Sequence, residues 1–365
     1  MKTLHRFIPP NPDSANTETP DFLMFGIVMY EANTRQTDLA RIENSFASLS
    51  EDDRDWIKQV HAKLGIEKNL ADSVADGVNV NANFFSRLVR ESLESVFPTP
   101  LPLTENPSAE SLGILSARVR SLPLVAAREW SSFLAHEREL THKPLREAVL
   151  KYCTPTNGPV LAPGSSTGRL VYEIAELGFE VVGIEHDPLR VTLMHSMISG
   201  NESTICPYIL DTCNRMSVKD NQTLVKIPDI TVDSAVLSRI TIDANEFFES
   251  IANYPAEGFS CVVTSWFIDS QNVDMEHFIM AIKRVLKPSG VWINLGPLDY
   301  GYMAEKEVVR KIGNPKRSVD EIRSLVESSG FEIMEQSEIE SAYLGNPKTI
   351  METRLACCFF VARLV

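Results

Sequence analysis

Residues 159–188 read Pro159-Val-Leu-Ala-Pro-Gly164-Ser-Ser-Thr-Gly168-Arg-Leu-Val-Tyr-Glu-Ile-Ala-Glu-Leu-Gly178-Phe-Glu-Val-Val-Gly-Ile-Glu185-His-Asp-Pro188. The spacing predicts a short apolar strand over 160–162, then a loop of small residues over 164–168. From 169 to 177, Leu170, Ile174 and Leu177 share one helical face, and Gly178 stops the helix. Residues 180–184 are a second apolar run, ending in the acid Glu185. A strand feeding a glycine turn and then a helix is a nucleotide-binding crossover. Its glycines let backbone N–H groups approach a ligand, and an acid ending the next strand can hold ribose hydroxyls.

The spacing also narrows the nucleotide. A dinucleotide fingerprint, Gly-x-Gly-x-x-Gly, needs a middle glycine that Gly164-Ser165-Ser166-Thr167-Gly168 lacks. No phosphate-binding lysine follows, which excludes a P-loop. The pattern suits adenosine without phosphates, and so predicts S-adenosylmethionine (SAM) as cofactor. Glu185 would take the ribose hydroxyls, and Gly164, Ser165, Ser166 and Gly168 would pass beside the methionine part. His186, next to that corner, is expected to pack over the adenosine or face solvent. A tight turn in a nucleotide-free α/β domain is the plain alternative.

Working outward, the 365 residues are enough for a large domain with an appendage, and 44% hydrophobic with 23% charged residues is ordinary for a globular chain. The net charge of −14 argues against a nucleic-acid partner, which needs a cationic face. The six cysteines show no Cys-x-x-Cys spacing. Buried free thiols are expected, with no metal site and a cytoplasmic location. No apolar run approaches the length of a membrane span.

Residues 1–20 are expected to be a mobile arm, 21–150 a helical region covering the ligand edge, and 151–365 the nucleotide-binding domain. Within the helical region, Ile42, Phe46 and Leu49 keep helical spacing. The acidic run after Ser50 starts a helix carrying Trp56, Val60 and Leu64. Another helix is expected over 84–96, a proline boundary over 98–107, and two more helices over 109–122 and 125–150. The charges in 128–140 read as a solvated helix face. Residues 201–230 read as irregular and 234–238 as a third strand. The clearest strand is 259–267, followed by a helix over 275–286, a strand over 291–295, a helix opened by a Ser318–Glu321 capping box, and closing strands over 331–337 and 355–364. Strands alternating with helices imply an α/β, doubly wound, mostly parallel sheet. A closing antiparallel pair is common in class I SAM-dependent methyltransferases of this Rossmann-like architecture. Ligands would lie beyond the carboxyl ends of the strands.

Residues 259–300 resemble the carnosine N-methyltransferase family through Phe267-Ile-Asp269, Leu286-Lys-Pro-Ser-Gly290 and, above all, Trp292-Ile-Asn-Leu-Gly-Pro-Leu298. Pro163-Gly-Ser-Ser-Thr-Gly-Arg-Leu170 looks like that family's glycine loop, Gly183-Ile-Glu185 like its ribose corner, and Arg128-Glu-Trp-Ser131 like an upstream helical motif. The resemblance implies that Arg128 meets the SAM carboxylate, that Glu246 and Phe247 lie near the adenine, that Ser265 faces the cofactor, and that Asp269 binds the substrate. Departures from the family pattern bear on the acceptor. The family's Tyr-His pair stands here as Tyr300-Gly301, and a substrate-facing tyrosine falls at Leu355. Losing an imidazole and a phenol removes hydrogen bonds that would hold a dipeptide, which argues against carnosine itself. Tyr343 fits the family pattern.

With no histidine at position 301, Asp269, Asp299 and Tyr300 are the candidate catalytic residues, Asp269 first. The expected activity is methyl transfer from SAM to a nitrogen of a small-molecule acceptor, a histidine-like or dipeptide metabolite. Oxygen, sulfur or protein side-chain acceptors, a SAM-binding protein without turnover and a dehydrogenase are the competing readings. The N-terminal helices are also a candidate homodimer surface.

Overall fold

The computed structural model describes residues 6–10, 20–93, 96, 109–271, 273–300 and 316–365. Ten strands are present among them: β1 (Arg6–Ile8), β2 (Val160–Pro163), β3 (Val181–Ile184), β4 (Ser203–Ile205), β5 (Val225–Ile227), β6 (Ile240–Asp243), β7 (Phe259–Ser265), β8 (Leu286–Gly296), β9 (Phe331–Ala342) and β10 (Arg354–Leu364). Eight join one sheet in the order β1-β6-β3-β2-β7-β8-β10-β9, while β4 and β5 form a separate pair. Every pairing in the large sheet is parallel except those of β10, which runs antiparallel to both β8 and β9. Strand order reverses at β2, with β3 on one side and β7 on the other. A crevice opens at such a reversal, beyond the strands' carboxyl ends.

The helices are α1 (Pro20–Thr34), α2 (Ala40–Ala47), α3 (Glu51–Lys63), α4 (Leu70–Leu88), α5 (Ala109–Trp130), α6 (Ala135–Tyr152), α7 (Arg169–Glu176), α8 (Pro188–Ile198), α9 (Ser234–Leu237), α10 (Phe247–Asn253), α11 (Met275–Val285) and α12 (Val319–Ser328). The central strands feed two cores, because successive side chains of a strand point to opposite faces. Val160 and Ala162 of β2 and Cys261 and Val263 of β7 enter a core shared with Ile27, Val78, Phe85, Leu115, Trp130 and Tyr172. Leu161 and Val262 enter the other, with Phe247, Phe278, Trp292, Phe331 and Phe360. Helices on both faces therefore bury the sheet. Of those that start before residue 150, α1, α4, α5 and α6 share the first core with it.

Several elements depart from expectation. Residues 234–238 contain the short helix α9, whose N-terminus Asp233 caps by accepting from the Ala235 N–H; the strand is the next apolar run, β6. Residues 201–230 carry β4 and β5. Part of the expected arm is ordered as β1, parallel to β6 with Phe7 opposite Ile242. Helix α5 continues through Pro123 to Trp130, and α6 continues through Pro144. The expected apolar face of α3 is not buried: Trp56 is 65% and Leu64 64% exposed. Helix α4 ends at Leu88 and passes into a π-helical turn, Val89–Leu93. The proline boundary over 98–107 and Gly301 lie outside the described residues. The capping box does form: the Ser318 side chain accepts from the Glu321 N–H while the Glu321 carboxylate accepts from the Ser318 N–H.

Candidate functional site

At the end of β2 the chain makes a tight turn that two glycines permit. Gly164 (φ +67°) and Gly168 (φ +81°) are left-handed, where an L side chain is strained. A Cβ on Gly164 would stand 2.2 Å from the Phe267 ring, and one on Gly168 2.5 Å from Met194. The Ser165 N–H and hydroxyl both donate to the Ile184 carbonyl, at 3.0 and 3.2 Å. The Ser166 N–H donates to Glu185 Oε2 at 2.9 Å, and Glu185 Oε1 accepts from the Asp187 N–H at 2.9 Å. The buried Glu185 carboxylate is thus clamped between the glycine loop and the start of α8. Gly164, Ser165, Ser166, Gly168 and Glu185 come together as one corner. His186 lies beside it, exposed, with Nδ1 3.9 Å from Glu185.

The loop is also held from outside. Trp130, at the end of α5, donates its indole N–H to the Thr167 carbonyl at 2.9 Å. Its own carbonyl accepts from the Asp229 N–H at 2.8 Å, and the Arg169 guanidinium lies over its ring, 5.2 Å from the centroid. No function was assigned to Trp130 in the sequence, although the signal lay inside Arg128-Glu-Trp-Ser131.

Across the crevice, β6 ends at Asp243, whose carboxylate accepts from Tyr254 Oη at 2.6 Å and from Asn245. Glu246 caps α10, accepting from the Phe248 N–H at 2.7 Å, so its carboxylate is engaged with the backbone. Phe247 is buried edge-on to Phe248 and Phe267 and tilted against Phe278, and contributes to the core.

Strand β7 ends at Ser265, and the next residue, Trp266, is left-handed (φ +53°), an uncommon conformation for a bulky side chain. Gly296 is needed beside it, since a Cβ there would stand 3.0 Å from the Trp266 backbone. Asp269 follows in a buried one-turn 3₁₀ helix, with Oδ2 accepting from the Asp299 N–H at 2.8 Å. Burial raises its pKa above the ordinary aspartate value, partly offset by the N–H groups of Asp299, Asp269 and Tyr300. The hydroxyl of Tyr300 donates to the Arg317 carbonyl at 3.0 Å and accepts from its N–H at 3.1 Å. That phenol pins the chain around Arg317. Burial raises the pKa of the Tyr300 phenol as well as that of Asp269, and Asp299 meets Asp269 through its backbone N–H.

The charges of 128–140 do not form a solvated face. Arg128, Glu129, Glu137, Arg138 and His142 are all buried, with Glu173 and Arg169 of α7. Arg128 pairs with Glu129 and with Glu137 (3.1 Å) and donates to Thr141 Oγ1 at 3.1 Å. Arg138 Nη1 donates to the carbonyls of Arg128, Glu129 and Ser131, closing the end of α5. Glu173 accepts from Arg169 at 2.8 Å and Arg146 at 2.5 Å, and His142 lies 3.0 Å away. Glu137 also accepts from the N–H groups of Leu344 and Gly345, which fixes Tyr343 against Trp266 with ring centroids 4.7 Å apart and Arg128 over both. Among the described residues no cluster of His, Cys, Asp and Glu is placed to hold a metal ion, and no helix is long and apolar enough to cross a membrane.

Residues 112–365 match the family model described as carnosine N-methyltransferase. The chain belongs to the carnosine N-methyltransferase family. It is 27% identical over 343 residues to the carnosine N-methyltransferase of Dictyostelium discoideum, covering 86% of this chain and 69% of that protein. With the Drosophila melanogaster protein of that name it shares 29% identity over 266 residues, covering 70% and 56% respectively. With the Mus musculus protein the figures are 28% over 247 residues, 65% and 60%. A glycopeptide N-methyltransferase crystallised with sinefungin aligns over 62% of this chain and 94% of its own, at 14% identity and a TM-score of 0.39.

SAM is the cofactor, and the residues at the β2 crevice fit it. Adenosine needs no phosphate cradle, and none is built. Glu185 offers a carboxylate already oriented at a strand end, and the loop beside it carries only Gly, Ser and Thr side chains. Leu355 pairs with Ser341 in β9 and is half-buried against the first core.

Proposed function

We propose that this protein transfers a methyl group from SAM to a nitrogen of a small metabolite in the histidine-dipeptide class. The observation that carries this reading is the corner in which Glu185 is clamped between the glycine loop and the start of α8, at the sheet's reversal. Bound SAM supplies an electrophilic methyl on a sulfonium, and the chain's task is to align a nucleophile with it. Proximity and orientation alone lower such barriers by about 7–11 kcal/mol. Glu185 would hold the sugar end, with Ser165 and Ser166 in the loop that passes beside the methionine part. Asp269, at the end of the neighbouring strand, would orient the acceptor by accepting its N–H. A neutral imidazole nitrogen needs no base, whereas an ammonium acceptor would hand its proton to a carboxylate of raised pKa such as Asp269.

The name shared by the relatives points to carnosine, but Gly301 and Leu355 remove two polar partners, so an acceptor with fewer hydrogen-bonding groups on that side fits this chain better. A cytoplasmic location belongs to the same proposal, supported by five buried free thiols. The test is incubation with isotopically labelled SAM and a panel of carnosine, histidine and related imidazoles and amines, read by mass spectrometry. Label on a ring or amine nitrogen of a panel member is the expected result. Label found only on oxygen or sulfur acceptors would overturn the assignment.

A further inference from the structure

We propose that Arg317 takes the carboxylate of the methyl acceptor, which makes the acceptor an imidazole or amine that carries a free acid. The assignment rests on the function proposed above. Strands β8 and β9 both run antiparallel to β10 and so run the same way, and the helix that crosses between them, α12, starts at the carboxyl edge of the sheet. Helix α11, between the parallel strands β7 and β8, starts at that edge too. The Arg317 guanidinium lies between these two helix starts. It is 3.8 Å from the carboxylate of Asp274, which precedes α11, and 3.6 Å from that of Glu321 in the first turn of α12. Asp269 stands on the same edge, between the end of β7 and α11.

Two observations set Arg317 apart from an ordinary surface ion pair. First, its backbone is tied to the acceptor side. The Asp299 N–H donates to Asp269 Oδ2 at 2.8 Å, and the next residue, Tyr300, holds the Arg317 residue at both its N–H and its carbonyl through one hydroxyl. Tyr300 is buried and left-handed (φ +48°), uncommon for an aromatic residue. Arg317 therefore sits one tyrosine side chain away from the turn that meets Asp269. Second, its guanidinium keeps N–H donors to spare. Nε is buried without a hydrogen-bond partner among the described residues, and both ion pairs are longer than a hydrogen bond. Asp274 and Glu321 are about half exposed, and Glu321 already accepts from the Ser318 N–H and hydroxyl, so neither saturates the cation. The Arg317 side chain is still 26% exposed, which leaves a small anion a way to it. A planar guanidinium in this condition suits a carboxylate, which can accept two of its N–H groups. With an N–H of the acceptor on Asp269, an acid one residue's length away meets Arg317.

Kinetics with labelled SAM separate the acid from the rest of the acceptor. Two pairs of acceptors are compared, histidine with histamine and carnosine with its decarboxylated analogue, on the full chain and on Arg317→Met and Arg317→Lys. Wild type is expected to favour the acid member of a pair by kcat/KM. Arg317→Met should lower kcat/KM for the acid member by about 10-fold to 100-fold, chiefly through KM, with Arg317→Lys between. The decarboxylated member should stay within about threefold, which also shows that each variant is folded; thermal unfolding checks this independently. An unchanged Arg317→Met, an equal loss on both members, or a wild type that favours the decarboxylated member overturns the assignment and leaves the methyl-transfer reading standing. Wild type that labels no member of either pair would remove the histidine-dipeptide reading itself, and the role of Arg317 with it.

Discussion

Replacing Glu185 with glutamine tests whether the ribose corner and the glycine loop form one unit. In the native protein each carboxylate oxygen accepts one backbone N–H at 2.9 Å, from Ser166 and from Asp187. A hydrogen bond to a charged group contributes about 1.5–3 kcal/mol. Glutamine keeps one oxygen, and its amide N–H₂ must then face the other backbone donor. One bond is lost and two donors oppose each other, which we put at about 2–3 kcal/mol together. If the loop must hold this shape to bind, S-adenosylhomocysteine affinity falls by roughly 30-fold to 150-fold. The ligand-free protein should also lose several degrees of melting temperature, because the clamp exists before any ligand arrives. Calorimetry and thermal unfolding on the same preparations measure both. A variant that binds within about threefold of wild type and melts at the same temperature would refute the coupling.

Three further outcomes are expected. Asp269→Asn should abolish most turnover, by about 100-fold or more, while leaving stability at pH 7 equal or higher. Burial raises the native pKa of Asp269, so its ionisation opposes folding as pH rises above the ordinary aspartate value, and the amide escapes that cost; paired activity and melting measurements decide it. Glu173 is shifted the other way: burial alone would raise its pKa, but His142, Arg146 and Arg169 pull it well below the ordinary value. Its contribution is present above the usual glutamate range and is lost as pH falls through and below that range, so melting temperature should drop there for wild type and vary less for Glu173→Gln, itself destabilised at pH 7 by about 3–5 kcal/mol. Trp130→Phe removes the N–H that the Thr167 carbonyl accepts, costs about 1–3 kcal/mol, and should speed hydrogen exchange over 164–168 while weakening S-adenosylhomocysteine.

The crossover was legible because every local signal in 159–188 agrees: apolar runs of strand length, glycines where the backbone turns left-handed, and a helical face between them. Strand β7 was legible from its apolar, β-branched centre, Cys261-Val262-Val263. The segment 234–238 was not, since Ala-Val-Leu between two serines suits either period, and the deciding feature is the Asp233 cap. Helix α5 passes Pro123 because a proline removes only one hydrogen bond, and packing of Leu122, Ala126 and Ala127 on the first core holds the helix on both sides. The misread charges of 128–140 have a different cause. Two partners of Arg138, Glu173 and Asp229, come from distant parts of the chain. Local sequence shows charge density but not pairing, and only the fold turns a polar helix into an internal one.

The two margins of the sheet bear on how copies of this protein meet. One is closed by the three residues of β1, too short to template a partner strand, and the other is the long β9. Along β9, Glu332, Glu338 and Glu340 are exposed and Glu335 half-exposed. Glu335 and Glu340 pair with Lys151 and Arg354, but a second β9 laid alongside in parallel register would set Glu332 and Glu338 against their own copies. Continuous sheets running from one molecule into the next are thereby discouraged, and concentrated solutions should stay free of fibrillar association until acid neutralises that row of glutamates.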